Sequence, residues 1–307
     1  ISTNYSSLSN LSIINGNRSH GGGIYIENSS PQLSDLKIDN SYSSQAGAGI
    51  YMYESSPSLN NMEISNNYAG EETSNDGDGY GGGIFCLYSE PIITDVTISN
   101  NSANYGGGID ISNSNPILEN VSITNNFATW GGGILLSSSA NSIFENVYVS
   151  NNSSESRGGG VLINSNSQLS ANKFILTNNY SSGHGGGIFI SAGSQINLQN
   201  SNIINNTVGT GDVFGAGIYA DGGNASLVNS IVYYNRRESD DGINYNLNGY
   251  TADILDEYSV LYSNIEGEMD WIPEGIDNIS LDPEFIDYQN SNFNLQSSSP
   301  CIDVGTT

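Results

Sequence analysis

Glycine triplets return along this chain at nearly constant intervals. Residues 104–126 read NYGGGIDISNSNPILENVSITNN, and residues 129–152 read TWGGGILLSSSANSIFENVYVSNN. Copies of the motif begin at Gly21, Gly47, Gly81, Gly106, Gly131, Gly158, Gly185 and Gly215, with gaps of 26, 34, 25, 25, 27, 27 and 30 residues. A unit this short cannot bury its own apolar face, so it must stack on its neighbours. The Gly, Asn and Ser punctuation every few residues forbids a helical run. The chain is therefore expected to be an all-β solenoid.

Each unit has the same parts. An alternating strand follows the glycines, as in Ile24-Tyr25-Ile26, Ile84-Phe85-Cys86 and Ile188-Phe189-Ile190. Period two points its first and third residues to one face and its second to the other. After a polar turn, a second extended segment carries apolar residues at a common spacing: Leu33/Leu36/Ile38, Leu59/Met62/Ile64, Ile93/Val96/Ile98, Leu118/Val121/Ile123 and Phe144/Val147/Val149. It ends in an asparagine pair, such as Asn66-Asn67, Asn125-Asn126 or Asn178-Asn179. These parts build a parallel β-helix of about three short strands per coil and about nine coils of 25–27 residues. Like residues then stack at the strand spacing of about 4.8 Å. Apolar columns form the core, asparagines pass amide hydrogen bonds between coils, and glycines turn a crowded corner. The repeats span residues 1–235; residues 236–307 read as degenerate last coils and an irregular C-terminal cap.

Composition limits the partners. Six Lys+Arg against 32 Asp+Glu give a net charge of −26, which argues against nucleic acid and anionic membranes. No stretch approaches the roughly 20 apolar residues of a membrane span. Cys86 and Cys301 stand in unrelated settings and are expected to be buried free thiols. The sequence opens on Ile1 without a Met or a signal peptide, so a processed or trimmed segment is expected. It enters within a repeat, Leu8/Leu11/Ile13 matching Leu33/Leu36/Ile38, so further protein or a partner is expected at that end.

The apolar residue after the glycines and the Asn-bearing strand resemble the repeats of polymorphic outer-membrane-protein passengers. More broadly they resemble the right-handed β-helices of the pectate-lyase-like superfamily, over residues 5–235. The passengers show Phe-x-x-Asn where this chain places Ile, Val or Leu and a small residue before the Asn pair. The tail LDPEFIDYQNSNFNLQSSSPCIDVG is similar to the segment closing many secreted bacterial β-helix proteins. The resemblance implies a right-handed coil, a tail packed over the last turn, and an extracellular or cell-surface location in bacteria.

It also implies that polysaccharide lyases and hydrolases must be considered. A lyase needs a base and cations beside the uronate, but the supply here is Arg18, Lys37, Arg157, Lys173, Arg236 and Arg237. Gly183-His184-Gly185 is similar to the Gly-His-Gly of polygalacturonases, and Asp240-Asp241 to their Asp pair. The pair follows the His instead of preceding it, however, and the Asn-Thr-Asp and Arg-Ile-Lys partners are missing. His184 also belongs to a repeat column with His20, Ala46, Tyr80, Tyr105, Trp130, Arg157 and Phe214. A hydrolase using only a carboxylate pair needs no cation.

Five positions after that column lies the outward residue of the first strand: Tyr25, Tyr51, Phe85, Asp110, Leu135, Leu162, Phe189 and Tyr219. If exposed, the two columns form an apolar ribbon suited to a glycan or a surface protein; ring stacking within the column, or a covering loop, would instead bury it. The candidate contact residues are Tyr25, Tyr51, Tyr80, Phe85, Tyr105, Trp130, His184, Phe189 and Tyr219. The insertion EETSNDGDG places Glu71, Glu72, Asp76 and Asp78 in a glycine-rich loop, which suits Ca²⁺ or a solvated acidic turn. No other cofactor is expected. The leading expectation is a non-enzymatic stalk or adhesin-like binding module of a larger bacterial protein. A carbohydrate-active enzyme and an end-to-end assembly subunit are the alternatives.

Overall fold

Every copy of the repeat lays down one coil of a parallel β-solenoid. The computed structural model describes residues 6–70, 79–238, 246–249, 258–267 and 277–302. Among these the chain makes about eight turns, close to the nine expected. The strands after the glycines form a nine-stranded sheet running from Ile24–Glu27 to Leu247–Gly249. A second nine-stranded sheet of short strands runs from Asn17–His20 to Arg236–Arg237, and a 16-stranded sheet takes the long segments. Pairing places like on like: Ile109 lies between Ile84 and Ile134, and Ile98 between Ile64 and Ile123. These columns form the continuous interior core.

The common spacing of three then two residues has a local cause. Asp35, Asn61, Asp95, Asn120 and Asn146 adopt positive φ near 50° within the long segments. Asn and Asp tolerate that region best after Gly. The bend it makes returns the next apolar residue to the interior, so Leu33, Leu36 and Ile38 are all buried.

The asparagine pair divides its work. The first member, as in Asn100 and Asn125, turns the chain at φ 56° and 57°. The second is buried and forms an unbroken ladder. Asn126 Oδ1 accepts from the backbone N–H (2.9 Å) and the amide (3.1 Å) of Asn101, while its own amide donates to the Ile98 carbonyl at 3.1 Å. Asn67, Asn152, Asn179, Asn206 and Asn235 continue the row. A serine row closes the opposite corner: Ser55 N–H donates to Ser89 Oγ at 3.1 Å, and Ser89 N–H to Ser114 Oγ at 2.9 Å.

The glycine corner is set by crowding. The first glycine takes φ near 60°, as at Gly106. A Cβ on the third, Gly108, would meet the Gly133 carbonyl oxygen at 2.6 Å and Ile123 Cγ2 at 2.9 Å. Ala48 and Ala216 stand at the second position of their coils.

Strand pairing continues past Asn235 through Tyr258–Leu261 and Asn264–Ile265. An antiparallel pair, Phe285–Asp287 with Asn292–Leu295, follows. The described part of this tail contacts the last coils. Asn264 donates to the Leu281 carbonyl at 2.7 Å, Tyr234 stacks on Tyr288 at 4.4 Å, and the Tyr234 hydroxyl donates to Asp282 at 3.0 Å. Both cysteines are free; Cys86 is buried as expected, but Cys301 is only half-buried, at the tail's edge. No described helix is long and apolar enough to cross a membrane.

Candidate functional site

The two columns flanking the glycine corner do not form one exposed ribbon. The left-handed first glycine folds the residue before it back over the outer strand column, of its own coil or the next, so the first column roofs the second. His20 sits edge-on to Tyr51 at 5.0 Å, Tyr80 leans on Phe85 at 5.8 Å, and His184 stacks on Tyr219 at 4.7 Å. The strand column is consequently buried: Tyr51, Phe85, Leu135, Leu162, Phe189 and Tyr219 are all in contact-closed clusters outside the main core. Only Tyr25, in the first coil, remains exposed, at 41%. The apolar area made available by period-two alternation is removed from water rather than presented to it, which favours the fold by about 1.5–3 kcal/mol per large side chain.

What faces solvent is the roof. Tyr80 is exposed at 37%, and Tyr105, Trp130, Arg157 and His184 are half-buried. They stand in register on successive coils. The Tyr80 and Tyr105 rings stack on one another, 5.1 Å apart and 12° from parallel. Their faces are thus occupied along the solenoid axis, and their edges and hydroxyl tips form the outer surface. The row is a ridge of ring edges, hydroxyls, an imidazole and a guanidinium, and it differs from the open stacking platform that the sequence suggests.

His184 is fixed within this ridge. Its Nδ1 accepts the Phe214 backbone N–H at 3.0 Å, and its ring stacks on Phe214 at 5.8 Å. Burial and the neighbouring Arg157 charge lower its pKa, with Asp221 opposing. The ring is neutral at pH 7 with its proton on Nε2, a donor towards the surface. The Gly-His-Gly signal therefore marks a roof position whose Nδ1 is already engaged.

Asp110 was visible in the sequence as the one acid in the strand column, and the structure gives it weight. It is 1% exposed, lies between Phe85 and Leu135, and its Oδ1 has no hydrogen-bond partner. Burial pushes its pKa well above 3.8. Asp110 separates the outer apolar row into two clusters.

A second surface was not anticipated. The bend of the long strands opens a groove of about 630 Å³ lined by Asp35, Lys37, Asn61, Glu63, Asp95 and Thr97, among others. Lys37 pairs with Glu63 at 2.9 Å. Ser65 Oγ shares its one proton between Glu63 Oε1 at 3.2 Å and Asp39 Oδ1 at 3.0 Å, which puts these two oxygens no more than about 6 Å apart. Hydrogen bonds from Asn66 and Ser65 and the charge of Lys37 hold Asp39 below the usual carboxylate range. Only the period of the positive-φ Asn/Asp positions could have revealed this groove in the sequence. Glu71, Glu72, Asp76, Asp78 and the Asp240-Asp241 pair lie outside the described residues. Among the described residues no cluster of three His, Cys, Asp or Glu could hold a metal ion.

A solenoid of stacked parallel coils with an inner asparagine ladder defines a class, and the sequence agrees with it. The chain matches the family model described as a right handed beta helix region over residues 1–154 and 74–175, and it belongs to that family. Among solved structures it is similar to pectate lyase Pel9A, with a TM-score of 0.58 and 13% identity over 91% of this chain and 75% of that one. That likeness is one of fold. The periplasmic alginate epimerase AlgG gives a TM-score of 0.33 and 12% identity over 81% of this chain and 76% of that one. No curated protein matches the sequence significantly.

Proposed function

We propose that this chain is a rigid glycan-binding module, displayed outside the cell or on its surface as part of a larger bacterial protein. The observation that carries the reading is the ridge of Tyr80, Tyr105, Trp130, Arg157 and His184, anchored over its own buried apolar row. Amphipathic side chains with an apolar body and a polar tip suit sugars, which present C–H and hydroxyl groups together. The coil-to-coil hydrogen bonds hold the ridge straight, so little entropy is lost when a ligand is met. The fold it shares with a pectate lyase is compatible with sugar recognition and does not itself supply it. Calcium binding by Glu71, Glu72, Asp76 and Asp78 is an accessory part of the proposal.

The test is a glycan array probed with and without Ca²⁺, with products read from the same wells. Tyr105→Ala combined with Trp130→Ala is expected to weaken retention at least about tenfold while circular dichroism stays unchanged. Retention unaffected by this double variant would defeat the reading, and capture of a protein in place of any glycan would replace the ligand class.

The groove favours a second reading, a carbohydrate-active enzyme. Its support is Glu63 on the groove wall with Asp39 beside it through Ser65, since glycosidases use two nearby carboxylates about 5–9.5 Å apart. Against it, Asp39 is held below the usual carboxylate range and does not line the groove, and Glu63 is tied to Lys37. Cleaved glycan that disappears in Glu63→Gln would promote this reading over the first.

A further inference from the structure

The glycan-binding reading is the foundation for a narrower inference about what kind of glycan the ridge selects. The protein carries a net charge of −26 and six basic residues. In such a chain each cation is expected to sit beside an acid. Lys37 pairs with Glu63, Lys173 with Glu145, and Arg236 with Glu266. Arg157 makes no ion pair with the described acids, and neither does Arg18 at the first coil; Arg237 lies over the Phe214 ring at 5.9 Å. Glu155, two residues earlier, instead accepts a hydrogen bond from Thr129 at 3.2 Å.

Rings hold Arg157 in place of an acid. Its Cζ lies 4.8 Å from the Phe189 ring centroid and 5.5 Å from that of Trp130. Strand pairing sets it between Trp130 and His184 in the middle of the ridge. A guanidinium stacked on rings spends its faces on them and keeps its in-plane N–H fork at the perimeter, the geometry that grips a carboxylate in two hydrogen bonds. Stacking also keeps the group from swinging away to a neighbouring acid.

We infer that the ridge selects a glycan bearing an isolated carboxylate, one acidic sugar among neutral ones, with that carboxylate in the Arg157 fork. The neighbouring neutral sugars run along Tyr105 and Trp130 on one side and His184 on the other. A densely charged polyuronate does not fit the same surface. Two guanidinium groups, Arg157 and the Arg237 that lies over Phe214 at 5.9 Å, cannot neutralise a row of carboxylates, and the acids of a chain with net charge −26 repel them over a screening length of about 8 Å at physiological salt.

The experiment is a titration of the whole chain with three oligosaccharides of equal length: neutral, carrying one uronic acid, and uronic throughout. Wild type, Arg157→Gln and Arg157→Lys are compared at low and physiological salt. Wild type is expected to prefer the single-acid ligand over the neutral one by about tenfold. Arg157→Gln should lose that preference while retaining neutral binding, and Arg157→Lys should keep part of it. Equal binding of neutral and single-acid ligands by wild type would overturn this inference and leave the glycan reading standing, as would a preference that survives in Arg157→Gln. Tighter binding of the fully uronic ligand would overturn it too. Binding of none of the three would overturn the glycan reading, and this inference with it.

Discussion

Single side chains in this solenoid are tested many times over, because each stands in a column. Asp110 is the sharpest case. A buried carboxyl without a partner costs stability, so Asp110→Leu, which joins Phe85 to Leu135, should stabilise the chain by about 2–4 kcal/mol at pH 7. The pH dependence has a definite sign. Its folded-state pKa is raised, so its contribution is fully present below about pH 4 and is lost as pH rises towards the folded value. The advantage of Asp110→Leu in urea unfolding should therefore grow between pH 4 and 7 by up to about 1.4 kcal/mol per pH unit. An advantage that does not change with pH would contradict the burial argument. The asparagine ladder predicts the opposite sign of effect. Asn126→Ala leaves the Ile98 carbonyl and two Asn101 donors without their partner, and should cost about 3 kcal/mol or more in the same assay.

At the scale of the element, the glycine corner makes a paired prediction. Gly108→Ala drives a Cβ into the Gly133 carbonyl and Ile123, and should cost about 1–3 kcal/mol. A Cβ on Gly107 would also meet backbone, the Phe127 carbonyl oxygen at 2.4 Å, but Ala48 and Ala216 already stand at that position in other coils, so Gly107→Ala should be the milder change. Equal losses of stability would remove crowding at the third position as the explanation. The elements were largely legible, because a repeat shows each position eight times over. The strands, the core columns and the ladder follow from spacing alone. The roof was less legible. Period two tells which side of a strand a residue faces, but not whether a preceding residue folds back over it, so the sequence leaves open whether Tyr51, Phe85, Phe189 and Tyr219 face solvent or lie under a cover. The serine row was hidden for a different reason. Serine is so common in this chain that Ser55, Ser89 and Ser114 do not stand out from exposed neighbours. The Asp39–Glu63 pair needed three dimensions, since its members lie on successive coils and meet only through Ser65.

At the scale of the molecule, net charge and architecture act together. Self-repulsion at −26 works against the compact state, so the midpoint of thermal unfolding should rise as sodium chloride is added through the physiological range; a midpoint insensitive to salt would show that the acids are already locally compensated. The hydrogen bonds between coils have a further consequence. In a parallel solenoid they run along the long axis, so tension between the two ends falls on all three sheets and the amide ladder of one coil junction at the same moment. The molecule should behave as a stiff tether that extends very little under load and then gives way coil by coil. Each released coil of 25–27 residues would add about 85–95 Å of contour, so the spacing between any two coils stays fixed until the first of them yields.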